Sequence, residues 1–291
     1  MLAVLRASLV FIVSLLPACA PVDMLNATIS ENGLLVLHDV PYAPGPRRSM
    51  DIYRLDSAAA PRPVVVFFYG GAWQDGSKND YLFAAAALAR AGYVVVVPDY
   101  RVYPEGAWPV FLQDSACALA TVQHLAANWG GDPGRVFVVG HSAGGHIAAM
   151  LALDPQWLAA AGGRRDALAG MVGISGPYDF LPITGPDIKL VFAPADADLT
   201  VTQPIDQVDG HNPPMLLLQG EADHTVGAYN AKNLYTKIKA ADGDVTLKLY
   251  PGVGHIGIIA SLAPLLRSRA PTLADTTAFI DAQKSVPPPV W

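Results

Sequence analysis

Three residues of this 291-residue chain have types and settings suited to nucleophilic chemistry: Ser142, Asp223 and His255. Ser142 lies at the centre of Gly140-His141-Ser142-Ala143-Gly144, with Gly145 added. Residues 136–139 before it are apolar at every position, and residues 147–153 after it read as a buried helix. Strand, glycine turn and helix is the context in which G-x-S-x-G forms a nucleophile elbow. The glycines allow a tight turn with a strained residue at its apex. That residue is Ser142, and its hydroxyl is predicted to stand above a sheet.

A serine hydroxyl is a poor nucleophile until a base takes its proton. Of the seven histidines, His38 falls in a hairpin and His124 within a helix, while His141 and His146 flank Ser142 on its own turn. None of these four is well placed to reach back as a base. His211 and His224 precede or sit beside the penultimate strand. His255 follows the last strand through Pro251-Gly252-Val253-Gly254, a loop suited to bringing a ring over the sheet. The imidazole needs a carboxylate to orient it. Asp223 stands at the end of the penultimate strand pattern, with Glu221 as its competitor. Asp196, Asp198, Asp206 and Asp209 lie in the loop before that strand. A developing oxyanion needs backbone N–H donors, each worth on the order of 10²–10³ in rate. One is expected from Ala143, at the start of the elbow helix. The others are expected from the loop after the third strand, Tyr69-Gly70-Gly71-Ala72-Trp73.

The elements that must position these residues alternate β and α, which predicts an α/β fold with a mostly parallel sheet and helices on both faces. About eight strands are expected: 34–40, 50–55, 63–69, 93–97, 136–139, 170–175, 215–219 and 245–250. The first two lack a helix between them and are expected to be antiparallel. Helices are expected at 79–91, 108–128, 147–153, 226–241, from about 256, and at 273–282. In such sheets functional residues gather at the carboxyl ends of strands. Asp223 and His255 each follow a later strand.

Composition narrows the setting. The chain is 52% hydrophobic and carries a net charge of −6 with no basic run, which argues against a nucleic-acid partner. Residue 6 is an arginine followed by the apolar run 7–16, a length typical of a signal-peptide core and too short to span a bilayer. The run ends in Leu16-Pro17-Ala18-Cys19, which resembles a lipobox. The expectation is therefore a leader over 1–18, lipidated Cys19, a tether over 19–33, a catalytic domain over 34–285 and a tail over 286–291. The mature chain would be an exported protein anchored to a membrane, with a soluble periplasmic or secreted form as the alternative. Cys117 then has no partner, and neither cysteine has metal-site spacing. No cofactor motif is present.

With three separated motifs in agreement, the chain resembles the α/β-hydrolase carboxylesterases. It is most similar to the branch of hormone-sensitive-lipase-like, feruloyl/acetyl esterase-like and kynurenine-formamidase-like enzymes. Tyr69-Gly70-Gly71-Ala72-Trp73 matches an H-G-G-G/x-W oxyanion motif, Asp99-Tyr100-Arg101-Val102-Tyr103-Pro104 a D-Y-R-x-x-P turn, and Gly130-Gly131-Asp132-Pro133-Gly134-Arg135 a G-G-D-P-x-R segment. The resemblance covers roughly residues 34–270. It implies oxyanion donors at Gly71, Ala72 and Ala143, and a small-molecule ester as partner. Its main departure is Tyr69, where the family has histidine. Asp99, Arg101 and Asp132 read as loop supports.

The proline-rich segment 176–214 is too broken for a large helical lid. Tyr178, Phe180, Leu181 and Phe192 are candidates to roof the site, and Trp73, Tyr103 and Trp108 to line the opposite wall. Of these, Trp73 and Tyr178 are the leading candidate substrate contacts. A small cap implies short or medium acyl esters. The expected function is a serine carboxylesterase. The alternatives are a kynurenine-formamidase-like amide hydrolase, and a tethered binding protein that has lost turnover, for which Tyr69 is the sole support.

Overall fold

The computed structural model describes residues 20–56 and 61–288, which form an eight-stranded sheet in the order β1-β2-β4-β3-β5-β6-β7-β8. The strands are Leu34–Pro41 (β1), Ser49–Leu55 (β2), Arg62–Phe68 (β3), Val94–Pro98 (β4), Gly131–His141 (β5), Leu168–Ile174 (β6), Met215–Gly220 (β7) and Val245–Tyr250 (β8). The strand β2 runs antiparallel to both its neighbours, and every other pairing beyond it is parallel. With helices around it, this is the α/β-hydrolase architecture expected from the motifs. The middle strands β4, β6 and β7 are buried at every position, as apolar runs covered on both faces must be. Each fully buried valine or leucine there contributes roughly 1.5–3 kcal/mol. The outermost strand β1 is partly exposed along its length.

The α-helices are Ala20–Asn26 (α1), Leu82–Arg90 (α2), Val110–Leu125 (α3), Ala143–Leu153 (α4), Pro155–Ala160 (α5), Pro186–Phe192 (α6), Tyr229–Ala240 (α7), His255–Ala260 (α8) and Thr272–Ala282 (α9). All eleven residues of α4 are buried, so it is apolar all round rather than amphipathic. Helices α5 and α6 were not expected. Asp154 caps α5 by accepting from the N–H of Gln156, with Pro155 opening the first turn, a pairing too short to stand out as a period in the sequence.

Both ends of the described chain pack on the domain, the first through α1 at the start of the expected tether. The Asn26 side chain donates to the carbonyls of Asn79 (3.0 Å) and Asp80 (3.1 Å) and accepts from the N–H of Phe83 (3.1 Å). In the tail, the N–H of Val286 donates to the carbonyl of Gly134 at 2.8 Å. The expected leader, Cys19 and residues 289–291 lie outside the described residues. Among the described residues no helix is long and apolar enough to cross a membrane.

Candidate active site

The elbow is built by close backbone approach. A β-carbon on Gly140 would lie 2.0 Å from the carbonyl oxygen of Gly144, and one on Gly144 would lie 2.0 Å from that of Phe68. No side chain fits at either position. Between them Ser142 adopts φ 56°, ψ −121°, a conformation that costs a non-glycine residue about 1–3 kcal/mol. The turn holds it there: its N–H donates to the carbonyl of Ile174 (3.0 Å), and its carbonyl accepts from the N–H of His146 (3.1 Å).

The three residues singled out in the sequence meet. The Ser142 hydroxyl lies 2.9 Å from Nε2 of His255, and Nδ1 of His255 lies 2.8 Å from Oδ2 of Asp223. The carboxylate accepts, so Nδ1 carries the proton and Nε2 is left as an acceptor for the serine O–H. Asp223 is enclosed. Its Oδ1 accepts from the N–H groups of Thr225 (2.9 Å) and Val226 (2.8 Å), and its Oδ2 accepts from the Gln219 amide (3.3 Å). Burial alone would raise its pKa. The hydrogen bonds from His255 and from those N–H groups outweigh burial and hold the carboxyl below the usual carboxylate range. Glu221 makes no such contact; its N–H pairs with the carbonyl of Tyr250.

Ala72, Trp73, Ser142 and Ala143 line a cavity of about 460 Å³. Its other wall comes from the segment after β6, with Phe180, Leu181, Pro182, Ile183 and Ile188, and from Val226 and Tyr229. Among the described residues no charged side chain lines it. Ala143 is the first residue of α4, so its N–H has no acceptor within the helix. Among the described residues, the N–H groups of Gly71 and Ala72 also donate to no protein acceptor. Gly71 stands behind the cavity wall. With φ +135° it turns the chain, and its carbonyl accepts from the N–H groups of Gln74 and Asp75, both at 2.9 Å.

Trp73 lines the cavity, but the other leading candidate contact does not. Tyr178 is 1% exposed and packs against Gly173 and Gly176, where any β-carbon would strike its ring or hydroxyl. That expectation is corrected: two glycines made room for the ring inside the core. Phe192 and Trp108 are also interior, packed on Phe111 beneath Trp73. Among the described residues no group of three or more His, Cys, Asp or Glu side chains could hold a metal ion.

The BD-FAE family model matches residues 50–238. The chain belongs to the BD-FAE family. Esterase LipC of Mycobacterium tuberculosis is 31% identical over 233 residues, spanning 74% of this chain and 58% of that protein. Kynurenine formamidase of Salmo salar is 26% identical over 232 residues, spanning 78% of this chain and 76% of that one. The chain spans between half and three fifths of the length of the first curated relatives it matches. Esterase B of Lactobacillus rhamnosis, in its phosphonate-inhibited crystal structure, superposes with a TM-score of 0.79 at 20% identity, covering 90% of both chains, a likeness in fold.

Tyr69, which stands where the resembled H-G-G motif has histidine, is built into the fold of this BD-FAE chain. Tyr69 is buried and stacked on Tyr100, with ring centroids 4.5 Å apart. Its hydroxyl donates to Asp99 (3.0 Å) and accepts from the Arg47 guanidinium (2.9 Å). Arg47 also donates to the carbonyls of Tyr100 and Gly76, bracing the far side of the loop 69–76. Asp99 accepts from the N–H of Lys78 as well (2.8 Å), so it supports the loop as expected. Arg101 grips Asp114 through two side-chain bonds of 2.7 and 2.8 Å. Arg47 carries no mark in the sequence: it lies in a proline-rich turn, with no periodicity.

Proposed function

We propose that this chain is a serine hydrolase that cleaves carboxylic esters of short to medium acyl length through an acyl-enzyme intermediate. The observation that carries the reading is the Ser142 hydroxyl 2.9 Å from Nε2 of His255, at the wall of an uncharged cavity. His255 takes the serine proton as Oγ bonds to the ester carbonyl carbon. The carbonyl oxygen becomes an oxyanion, accepting from the N–H groups of Ala72 and Ala143, with Gly71 as the third donor implied by the family motif. Asp223, held ionised, stabilises the imidazolium. The intermediate collapses, the C–O bond to the alcohol breaks, and His255 returns the proton to the leaving oxygen. Water then repeats the sequence on the acyl-enzyme: His255 takes its proton, the acid departs, and Ser142 recovers its hydrogen.

The test is hydrolysis of p-nitrophenyl butyrate by the wild type and by Ser142→Ala. Loss of the serine is expected to lower kcat by something on the order of 10⁶. Equal rates would point to the inactive binding protein instead. Asp223→Ala is expected to cost on the order of 10⁴ in kcat, and Glu221→Ala almost nothing; the reverse pattern would transfer the orienting role to Glu221.

The likeness to a kynurenine formamidase supports a second reading, hydrolysis of an N-formyl amide. Against it stands the cavity lining, which among the described residues offers no charged side chain to an amino-acid carboxylate, a group costly to bury unpaired. Comparing turnover of N-formylkynurenine with that of the butyrate ester ranks the two. We further propose export and membrane anchoring through a lipid on Cys19. Mass spectrometry of the mature N-terminus checks this, and an unmodified start at another residue would refute it.

A further inference from the structure

His141, the residue just before the nucleophile, is 2% exposed and does not line the cavity, yet both its ring nitrogens are engaged. Nε2 lies 3.3 Å from the backbone carbonyl of His255, and Nδ1 lies 3.1 Å from the hydroxyl of Tyr81. A carbonyl can only accept, so Nε2 carries the proton. Nδ1 is then an acceptor, and the Tyr81 O–H must donate to it. The same hydroxyl accepts from the N–H of Gly70, at 3.1 Å. One directed chain results: Gly70 N–H to Tyr81 Oη, Tyr81 O–H to His141 Nδ1, and His141 Nε2–H to the His255 carbonyl.

The two ends of this chain are significant. Gly70 belongs to the loop that presents the N–H groups of Gly71 and Ala72. His255 is the base. A β-carbon on Gly70 would fall 2.9 Å from Cβ of Ser142, 3.1 Å from Nδ1 of His141 and 3.1 Å from the Tyr81 hydroxyl, so nucleophile, loop and chain converge on one point. The His141 and His255 rings lie 4.8 Å apart between centroids.

We propose that Tyr81 and His141 act as one positioning couple, fixing the oxyanion loop and the base loop at a set distance on either side of Ser142. This rests on the hydrolase reading above. The couple needs both groups uncharged to keep its direction. Burial, with His255 nearby, pushes His141 down to about 3, and burial pushes Tyr81 up to about 12. Neither titrates where the base works. A histidine that only filled space would answer to volume; this one answers to which nitrogen bonds to what.

Tyr81→Phe keeps the ring and removes one hydroxyl. It is expected to lower kcat for p-nitrophenyl butyrate about tenfold, and His141→Leu on the order of 10²-fold, with KM within about twofold in both, as for a small misplacement of reacting groups. His141→Gln retains a donor for the His255 carbonyl and is expected to recover part of the loss. The double variant Tyr81→Phe/His141→Leu is expected to be no slower than His141→Leu alone, since members of one chain are not additive. Wild-type kcat in Tyr81→Phe, effects that multiply, or a change confined to KM would overturn the couple while leaving the hydrolase reading intact. An inert wild type, or a Ser142→Ala variant as fast as wild type, would overturn both.

Discussion

The two walls around Ser142 are held by different physics. The elbow wall is fixed by main chain packed on main chain: Gly140 on Gly144, and Gly144 on Phe68, with no space for a methyl group. The opposite wall, the proposed oxyanion loop, is fixed by side chains reaching in from afar: Arg47 from the β1–β2 turn, Tyr69 and Tyr100 stacked beneath, Asp99 from the end of β4. The first arrangement leaves almost no freedom in residue type. The second depends on side-chain hydrogen bonds and stacking, with a phenol where the resembled motif has an imidazole.

The largest expected effect comes from breaking the rigid wall. Gly144→Ala sets a β-carbon 2.0 Å from the Phe68 carbonyl, and neither backbone can yield cheaply. Denaturant titration should show a loss of about 3 kcal/mol, at the upper end of overpacking costs. The kcat should fall by at least on the order of 10², since Ser142 moves with the turn. A milder outcome than that of the next variant would erase the contrast between the walls.

The adaptable wall should respond less. Tyr69→Phe keeps the stack on Tyr100 but removes the acceptor for Arg47 and the donor to Asp99. The expected cost is about 1–3 kcal/mol of stability, together with a fall of about tenfold in kcat. A loss as deep as that of Gly144→Ala would show that the side-chain brace is as unforgiving as the glycine packing.

Acid should separate the walls gently. His141 and His146 on the elbow side are both kept neutral by burial, His141 down to about 3 and His146 down to about 4, from an ordinary value of 6.5. Between 6.5 and about 4 the unfolded chain binds protons that the folded chain refuses, so stability falls as pH falls through that window. Behind the oxyanion loop, burial alone would raise the Asp51 carboxyl, but bonds from Lys78, the N–H of Asp39 and His38 outweigh it and hold the carboxyl below its ordinary 3.8. Its contribution is present above 3.8 and lost only as pH drops further, through its lowered value. Melting temperatures should therefore decline first from pH 6.5 and again below pH 3.8. His146→Gln, which can still donate to the Thr202 carbonyl, should shrink the first decline to the share due to His141 and leave the second.

The same contrast decides how far the sequence could be read. The sheet, its antiparallel first pair, and the trio Ser142, Asp223 and His255 were all legible, because each depends on local pattern: apolar runs, glycine turns, residues at strand ends. The last strand was placed at residues 245–250, where it stands. The brace was not legible, because its members are far apart in the chain and none has a pattern of its own. His141 and Tyr81 join across sixty positions. Tyr178 misled for a related reason: an aromatic residue near a site reads as a contact until the glycines that house it, Gly173 and Gly176, are seen to form a slot for its ring.

The contact between Arg47 and Tyr69 also constrains how the chain can drift over generations. A lineage that keeps tyrosine at 69 is bound to keep an acceptor at 99 and a donor at 47, 22 positions away. A lineage that takes histidine there releases Arg47 from that obligation. Positions 47 and 69 should therefore change in step.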